Sequence, residues 1–325
     1  MQKKMYSTPV VVLTIIGACL TLIGNCVSVG VLVKKAATAI ISDYSLDDGY
    51  DYGYYDEYGN DDSDVYGSDL SEEDLQGVDP STEALSEIPT YEAEGTTVTY
   101  QMESYQLQKK LGDNGMVLLD VQYPVISGTD EAQTDAINEM LKDQAMVSAD
   151  NYYLNVAGQS NVKAGADGYI YIISEVTYQV TYLSNDFISV VFEDNYCAGD
   201  YDTHYIDMRA SNIDLTTGKS YELNQIVNAD SDMAKDFQQR LDDKYQYNEV
   251  IYGIDTEEYT SMISGEKERD DSFMGFYRTE DGIQLYVTFH YFVDEGSSVG
   301  WFTAPYAFED MKSYQNDSDF WNIAQ

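Results

Sequence analysis

Residues 212–223 read NIDLTTGKSYEL. The Thr217-Gly218-Lys219-Ser220 in the middle ends like a phosphate-binding loop, and the choice between that loop and a simple turn decides the fold. A phosphate loop needs a glycine five residues before the Gly-Lys, so that bare backbone N–H groups can wrap the anion. That position is Ile213. The loop must also open a helix whose N-terminus faces the phosphate. Instead Tyr221-Glu222-Leu223 alternates polar and apolar, and Ile213 and Leu215 flank Asp214 on the other side. Two alternating runs around Thr-Thr-Gly-Lys describe a β-hairpin, with Gly218 supplying the positive φ of the turn.

The pattern continues outward from this hairpin. Residues 97–108 and 116–126 alternate as strands, and so do 168–184 and 186–196, which a Ser184-Asn185-Asp186 turn separates. Residues 203–215 add a strand leading into the hairpin, and 275–292 form a second hairpin turning at Glu280-Asp281-Gly282. Thr129, Asp130 and Glu131 make an acidic helix start, and Ile137, Met140 and Leu141 keep helical spacing, so a helix is expected to about Tyr153. Residues 230–248 give another helix, with Met233, Phe237 and Leu241 on one side. Adjacent strands with short turns pair antiparallel. The expected fold class is α+β: an antiparallel sheet with helices packed on one face, over residues 96–325.

The 325 residues carry 58 acidic and 17 basic side chains, a net charge of −41. Nucleic acid is excluded as a partner, because phosphates would be repelled. The natural macromolecular partner of such a surface is cationic, although acid excess also serves simply to keep an exported protein solvated. The 3 cysteines are Cys19, Cys26 and Cys197. They make neither an intrachain disulfide nor a zinc set, and no cofactor is expected.

Residues 9–33 contain no charge. As a helix they would extend about 37 Å, enough to cross a bilayer with some tilt. The expectation is a single transmembrane helix with residues 1–8 as a short inner tail and the remainder outside the membrane. Two rival readings stay open: a lipoprotein box at Ile16-Gly17-Ala18-Cys19 and a signal-peptidase site at Ala37-Thr38-Ala39. Residues 34–95 are rich in Asp, Tyr and Gly, and no Lys or Arg falls between Lys35 and Lys109. Such a stretch buries too little apolar surface to offset its ordering entropy and is expected to be a disordered acidic linker. Within it, Asp62, Asp64, Gly67 and Glu73 fall at the first, third, sixth and twelfth places of a calcium loop, but Tyr66 occupies the fifth and no flanking helices are evident.

Several stretches resemble one family. YPVISGTDEAQTDAINEML (123–141), the run from Phe187 to Val227 with its Asn-x-Asp-Leu-x-Thr-Gly-Lys hairpin, and GFYRTEDGIQLYVTFHYFVDEGSSVGWFTAPYAFEDMK (275–312) are similar to the extracytoplasmic domain shared by RsiV-type anti-sigma factors and PdaC-type peptidoglycan deacetylases. The resemblance implies an extracytoplasmic module near cell-wall chemistry. In the RsiV-like branch it binds lysozyme and controls a sigma factor; in the PdaC-like branch it precedes a deacetylase. Here the expected inner tail is too short to hold a sigma factor, and no deacetylase domain is expected after Gln325. Where family members carry Gly-Gly-Ala-His, this chain reads Cys197-Ala198-Gly199-Asp200-Tyr201-Asp202-Thr203-His204.

The chemistry points away from an enzyme. His204 and His290 are far apart, no serine or cysteine lies in a nucleophile elbow, and with 58 acids a catalytic carboxylate pair cannot be singled out. The expectation is a non-catalytic binding or sensing module at the cell envelope, with a cationic protein such as lysozyme, or a cell-wall glycan, as ligand. The candidate binding residues are Asp200, Tyr201, Asp202, His204, Trp301 and Tyr306; core packing is the competing reading of the aromatics. A deacetylase accessory or hydrolase domain, and a purely structural spacer, remain as alternatives.

Overall fold

A computed structural model describes residues 83–323, apart from 156–161, 167, 202, 246–250, 252, 267–271 and 293–297. The expected membrane span, the calcium-loop look-alike and Asp202 lie outside the described residues. Among the described residues no helix is long and apolar enough to cross a membrane.

Six strands form the larger sheet: β1 (Tyr91–Glu92), β2 (Thr99–Lys110), β3 (Gly115–Ser127), β4 (Ile170–Leu183), β5 (Phe187–Gly199) and β6 (Tyr205–Asp214). Their order is β2-β3-β4-β5-β6, with β1 beside the end of β4. The sheet is mixed, which corrects the purely antiparallel expectation: β3 and β4 run parallel, and so do β1 and β4. The reason is the connection. Helix α1 (Glu131–Ala145) and its continuation to Leu154 carry the chain back along the sheet, and a crossover of this kind delivers a parallel neighbour. The Asp130 side chain accepts from the Ala132 N–H at the start of α1, and Ile137, Leu141 and Ala145 form the stripe it buries. That stripe meets Val117, Leu119 and Val121 of β3, Ile172 and Val176 of β4, and Val190 and Phe192 of β5. Each such side chain contributes roughly 1.5–3 kcal/mol when fully buried.

A second, antiparallel sheet of β7 (Ser272–Arg278), β8 (Gly282–Phe292) and β9 (Ser298–Ala307) packs on the opposite face, chiefly over β6. Val191 and Met208 of the large sheet touch Tyr277, Tyr286 and Trp301 of the small one. On its far side Leu285, Val287, Phe302 and Ala304 meet Phe237 and Leu241 of α2 (Ser231–Tyr245) and Tyr259 and Ile263 of α3 (Thr256–Ser264). The helices therefore cover two different sheets rather than one face of a single sheet. Two short helices, α4 (Phe308–Met311) and α5 (Phe320–Ile323), close the described chain.

The small sheet also finishes the edge of β6. The Ser298 hydroxyl accepts from the Ile206 N–H at 2.9 Å and the Thr288 hydroxyl from the Met208 N–H at 3.2 Å. Side-chain oxygens thus satisfy backbone groups that an open edge would leave to solvent.

Residues 83–95, which composition groups with the acidic linker, are packed on the domain. Leu85 and Ile88 are buried against Tyr277 and Trp301, and Glu83 pairs with Lys244 and accepts from the Tyr245 hydroxyl at 2.8 Å. The average acidity of 34–95 masks this short apolar run.

The Thr-Gly-Lys stretch is a turn. Gly218 has φ 70°, and its N–H donates to the Asp214 carbonyl at 2.8 Å. The Asp214 carboxylate accepts from the Thr216 N–H at 2.7 Å, the Thr217 N–H at 3.1 Å and the Thr217 hydroxyl at 2.6 Å. The Lys219 ammonium lies 4.5 Å over the Tyr221 ring, and a 3-10 turn at Leu223–Gln225 takes the place of a phosphate-facing helix. Asp214→Ala removes all three acceptor contacts from a residue only 4 % exposed. The expected cost is about 2 kcal/mol, a melting-temperature fall of roughly 5 °C by circular dichroism. A melt within error of the parent protein would refute this account of the turn.

Candidate functional site

Asp200, Tyr201 and His204 fall on the loop between β5 and β6, at one end of the large sheet. The loop leaves β5 at Gly199, whose φ is 119° and whose α-carbon approaches the Lys163 carbonyl so closely that an added Cβ would lie 2.4 Å from it. A side chain cannot replace hydrogen there. Tyr201 packs against Tyr171 at 5.1 Å between ring centroids, and Tyr171 stacks on the exposed Tyr169 at 6.1 Å. The ring of His204 meets Tyr201 edge-on at 5.6 Å. His204 Nδ1 lies 3.1 Å from the Asn195 side-chain oxygen, and its carbonyl accepts from the Ser298 N–H at 2.8 Å. The small sheet therefore fixes this loop.

Trp301 and Tyr306 are not part of this surface. Trp301 is 1 % exposed and donates its indole N–H to Glu193 at 2.8 Å between the two sheets. Tyr306 is 2 % exposed, on the opposite face of β9, under the Arg240 guanidinium at 4.1 Å. Both are core residues, which corrects their assignment as surface anchors.

The strand register assembles a second feature. Gln106 of β2 pairs with Asp120 of β3, Asp120 with Glu175 of β4, and Glu175 with Asn195 of β5. Asn195 in turn contacts His204, immediately before β6. Four polar side chains in register, with His204 joined to the last of them by its side-chain contact, thus form a row across the sheet. The Gln106 amide donates to Asp120 at 3.1 Å. The row lies on the face opposite α1, because alternation places Val121, Val176 and Asp194 on the helix side. Burial pushes the Glu175 carboxyl up to about 7, and the neighbouring Asp120 adds to the shift. Two residues along each strand, Leu118, Ile173 and Cys197 make an apolar strip that joins the row to Tyr171 and Tyr201. Burial raises the Cys197 thiol to about 12, so it is a thiol and a poor nucleophile at neutral pH.

The other histidine belongs to a buried network on the far side. His290 Nε2 lies 2.6 Å from Asp207, which also pairs with Arg209 at 2.6 Å; Arg209 reaches Asp194 at 2.9 Å. Asp194 is fully buried and also accepts from the Ser174 hydroxyl at 2.9 Å. Tyr205 lies 5.0 Å from the His290 ring and is stacked on Tyr196 at 5.2 Å.

The arrangement offers hydrogen bonds and aromatic faces. Among the described residues no group of three or more His, Cys, Asp or Glu is placed to hold a metal ion. Gln106, Asp120, Glu175 and Asn195 escape sequence reasoning, because only the register of four separate strands brings them together.

No family model matches the chain, and no curated protein matches it. Among solved structures it is similar to a DUF3298-family protein of Bacteroides fragilis NCTC 9343, with 15 % identity, a TM-score of 0.43, and coverage of 71 % of this chain and 98 % of that one. It is also similar to a DUF3298-family protein of Pseudomonas aeruginosa PAO1, with 9 % identity, a TM-score of 0.39, and coverage of 68 % and 95 %. The structural neighbours of this mixed α+β chain are thus bacterial proteins of the DUF3298 family.

Proposed function

We propose that the chain is a non-catalytic binding or sensing module of the cell envelope, anchored through residues 9–33 with its α+β domain outside the membrane. Its ligand is a cationic protein such as lysozyme or a cell-wall glycan. The carrying observation is the surface at Tyr201 and His204: aromatic rings beside a row of acceptors, on a loop pinned by the second sheet. Rigid aromatic groups next to fixed polar ones suit recognition, since little freedom is lost on binding. The ordered motifs in 123–141, 187–227 and 275–312 support the same reading, and the charge of −41 favours a cationic partner.

Calorimetric titration of lysozyme into the full chain, at near-physiological and then high salt, tests the cationic-protein arm. Saturable binding that survives the salt increase is the expected result. Heat that disappears with salt would indicate bare charge attraction. Release of product from purified wall glycan by the chain alone would overturn the non-catalytic reading.

A further inference from the structure

We propose that the row Gln106–Asp120–Glu175–Asn195–His204, together with Tyr201, is a saccharide-binding surface, with an oligosaccharide lying across the strands. The inference rests on the binding role proposed above and names the ligand of that same surface.

A saccharide is neutral overall, presents hydroxyls that donate and accept in pairs, and has apolar C–H faces. A site for it needs alternating acceptors and donors at regular spacing, and an aromatic face beside them. The row supplies amide, carboxylate, carboxyl and amide in that order, set in register by the sheet, and the His204 imidazole held against the last amide. Asp120 accepts from hydroxyls, and the Gln106 and Asn195 amides both donate and accept. The carboxyl of half-buried Glu175 is pushed up to about 7, so a substantial fraction keeps its proton near neutrality and presents an O–H donor beside Asp120. Tyr201 provides the amphipathic ring, braced by Tyr171 from behind.

Dimensions favour an oligomer over a monosaccharide. Four strand steps from β2 to β6 span about 19 Å. The small sheet packs on this same face chiefly over β6, and along the row Gln106 is exposed while Asp120, Glu175, Asn195 and His204 are half-buried rather than buried. A compact cation would need several carboxylates converging on one point, whereas these groups are spread along a line with amides at both sides of the acidic pair.

The test uses the full chain and three probes, chitotetraose, cellotetraose and maltotetraose, read by calorimetry and saturation-transfer NMR. At least one is expected to bind saturably. Gln106→Ala, on the exposed edge strand where the fold is not at risk, and Asn195→Ala are each expected to weaken that binding about ten-fold, the loss of one to two good hydrogen bonds. Lysozyme titration runs in parallel. If lysozyme binds and no saccharide does, the binding role stands and the saccharide surface is overturned. If neither binds, both fall. Saccharide binding unchanged in both variants overturns the assignment of the row.

Discussion

Arg209→Met is expected to destabilise the domain by about 3–5 kcal/mol and to lower its melting temperature by roughly 10 °C. The arginine stands between two carboxylates that have almost no access to water: Asp194 is fully buried and Asp207 is 2 % exposed. Its guanidinium donates to Asp194 at 2.9 Å, to Asp207 at 2.6 Å and to the Ser148 hydroxyl at 3.3 Å. Methionine keeps much of the stem volume, so the loss reports charge and hydrogen bonding rather than a cavity. Two like charges are left in a low-dielectric site, with Asp194 held by Ser174 and Asp207 by His290. Removing one partner of a buried ion pair costs far more than the net value of the pair, because the orphaned charge keeps its desolvation penalty. Adding Asp194→Asn to the methionine variant removes one orphan and should recover a substantial part of the loss. Arg209→Lys keeps the charge but not the fork that reaches both carboxylates, and should fall between the two. A melt of Arg209→Met within 1 kcal/mol of the parent protein would sink this account.

The same network shows why the site is only partly legible in the sequence. Alternation in the strands and the apolar stripe of α1 are readable, since a buried face imposes a period of 2 or 3.6 on local sequence. The hairpin at Asp214–Ser220 is readable for the same kind of reason: Gly218 and the Asp-x-Thr pattern act within a few residues. Strand direction is not. Nothing in residues 115–127 states that the neighbour of β3 arrives through a helix and therefore runs parallel. Trp301 and Tyr306 illustrate the limit more sharply. Both sit in an aromatic-rich strand, and alternation places them on opposite faces, but here each face of β9 is covered, one by the large sheet and one by α2. A strand buried on both sides loses the polar alternation that would mark a core aromatic. The position of Tyr201 and His204 on a loop is readable because they lie within a few residues of the strand ends that hold them. Asp120, Glu175 and Asn195 come from three strands whose register is a tertiary property.

Glu175→Gln should make the protein more stable at pH 8 while leaving it nearly unchanged at pH 4. Burial lifts this carboxyl from an ordinary value of 4.5 to about 7, and Asp120 on the adjacent strand contributes in the same direction. The folded chain therefore binds more protons at this site than the unfolded chain does throughout the window between about 4.5 and 7. Where the folded state holds the extra proton, stability falls as pH rises. The favourable protonated state is complete below the lower bound, drains away through the window, and is gone above the upper one. A shift of this size corresponds to about 3 kcal/mol, the cost of forcing a charge into a half-buried position beside another carboxylate. Glutamine keeps the shape and a hydrogen-bonding head but never ionises. The difference between the two proteins, tracked by urea unfolding at several pH values, cancels the titration of the other 57 acids. That difference should rise from near zero at acid pH to about 3 kcal/mol at pH 8. Asp120→Asn should move the window down without abolishing it, since burial remains the larger cause. Parallel stability curves for Glu175→Gln and the parent protein would mean that Glu175 is solvated like any surface carboxylate. The saccharide row would then present a charge at its centre rather than a proton donor. A rising difference would mean that the fold retains an avoidable cost at the centre of the row, which is where a binding site, rather than a stabilising core, tolerates one.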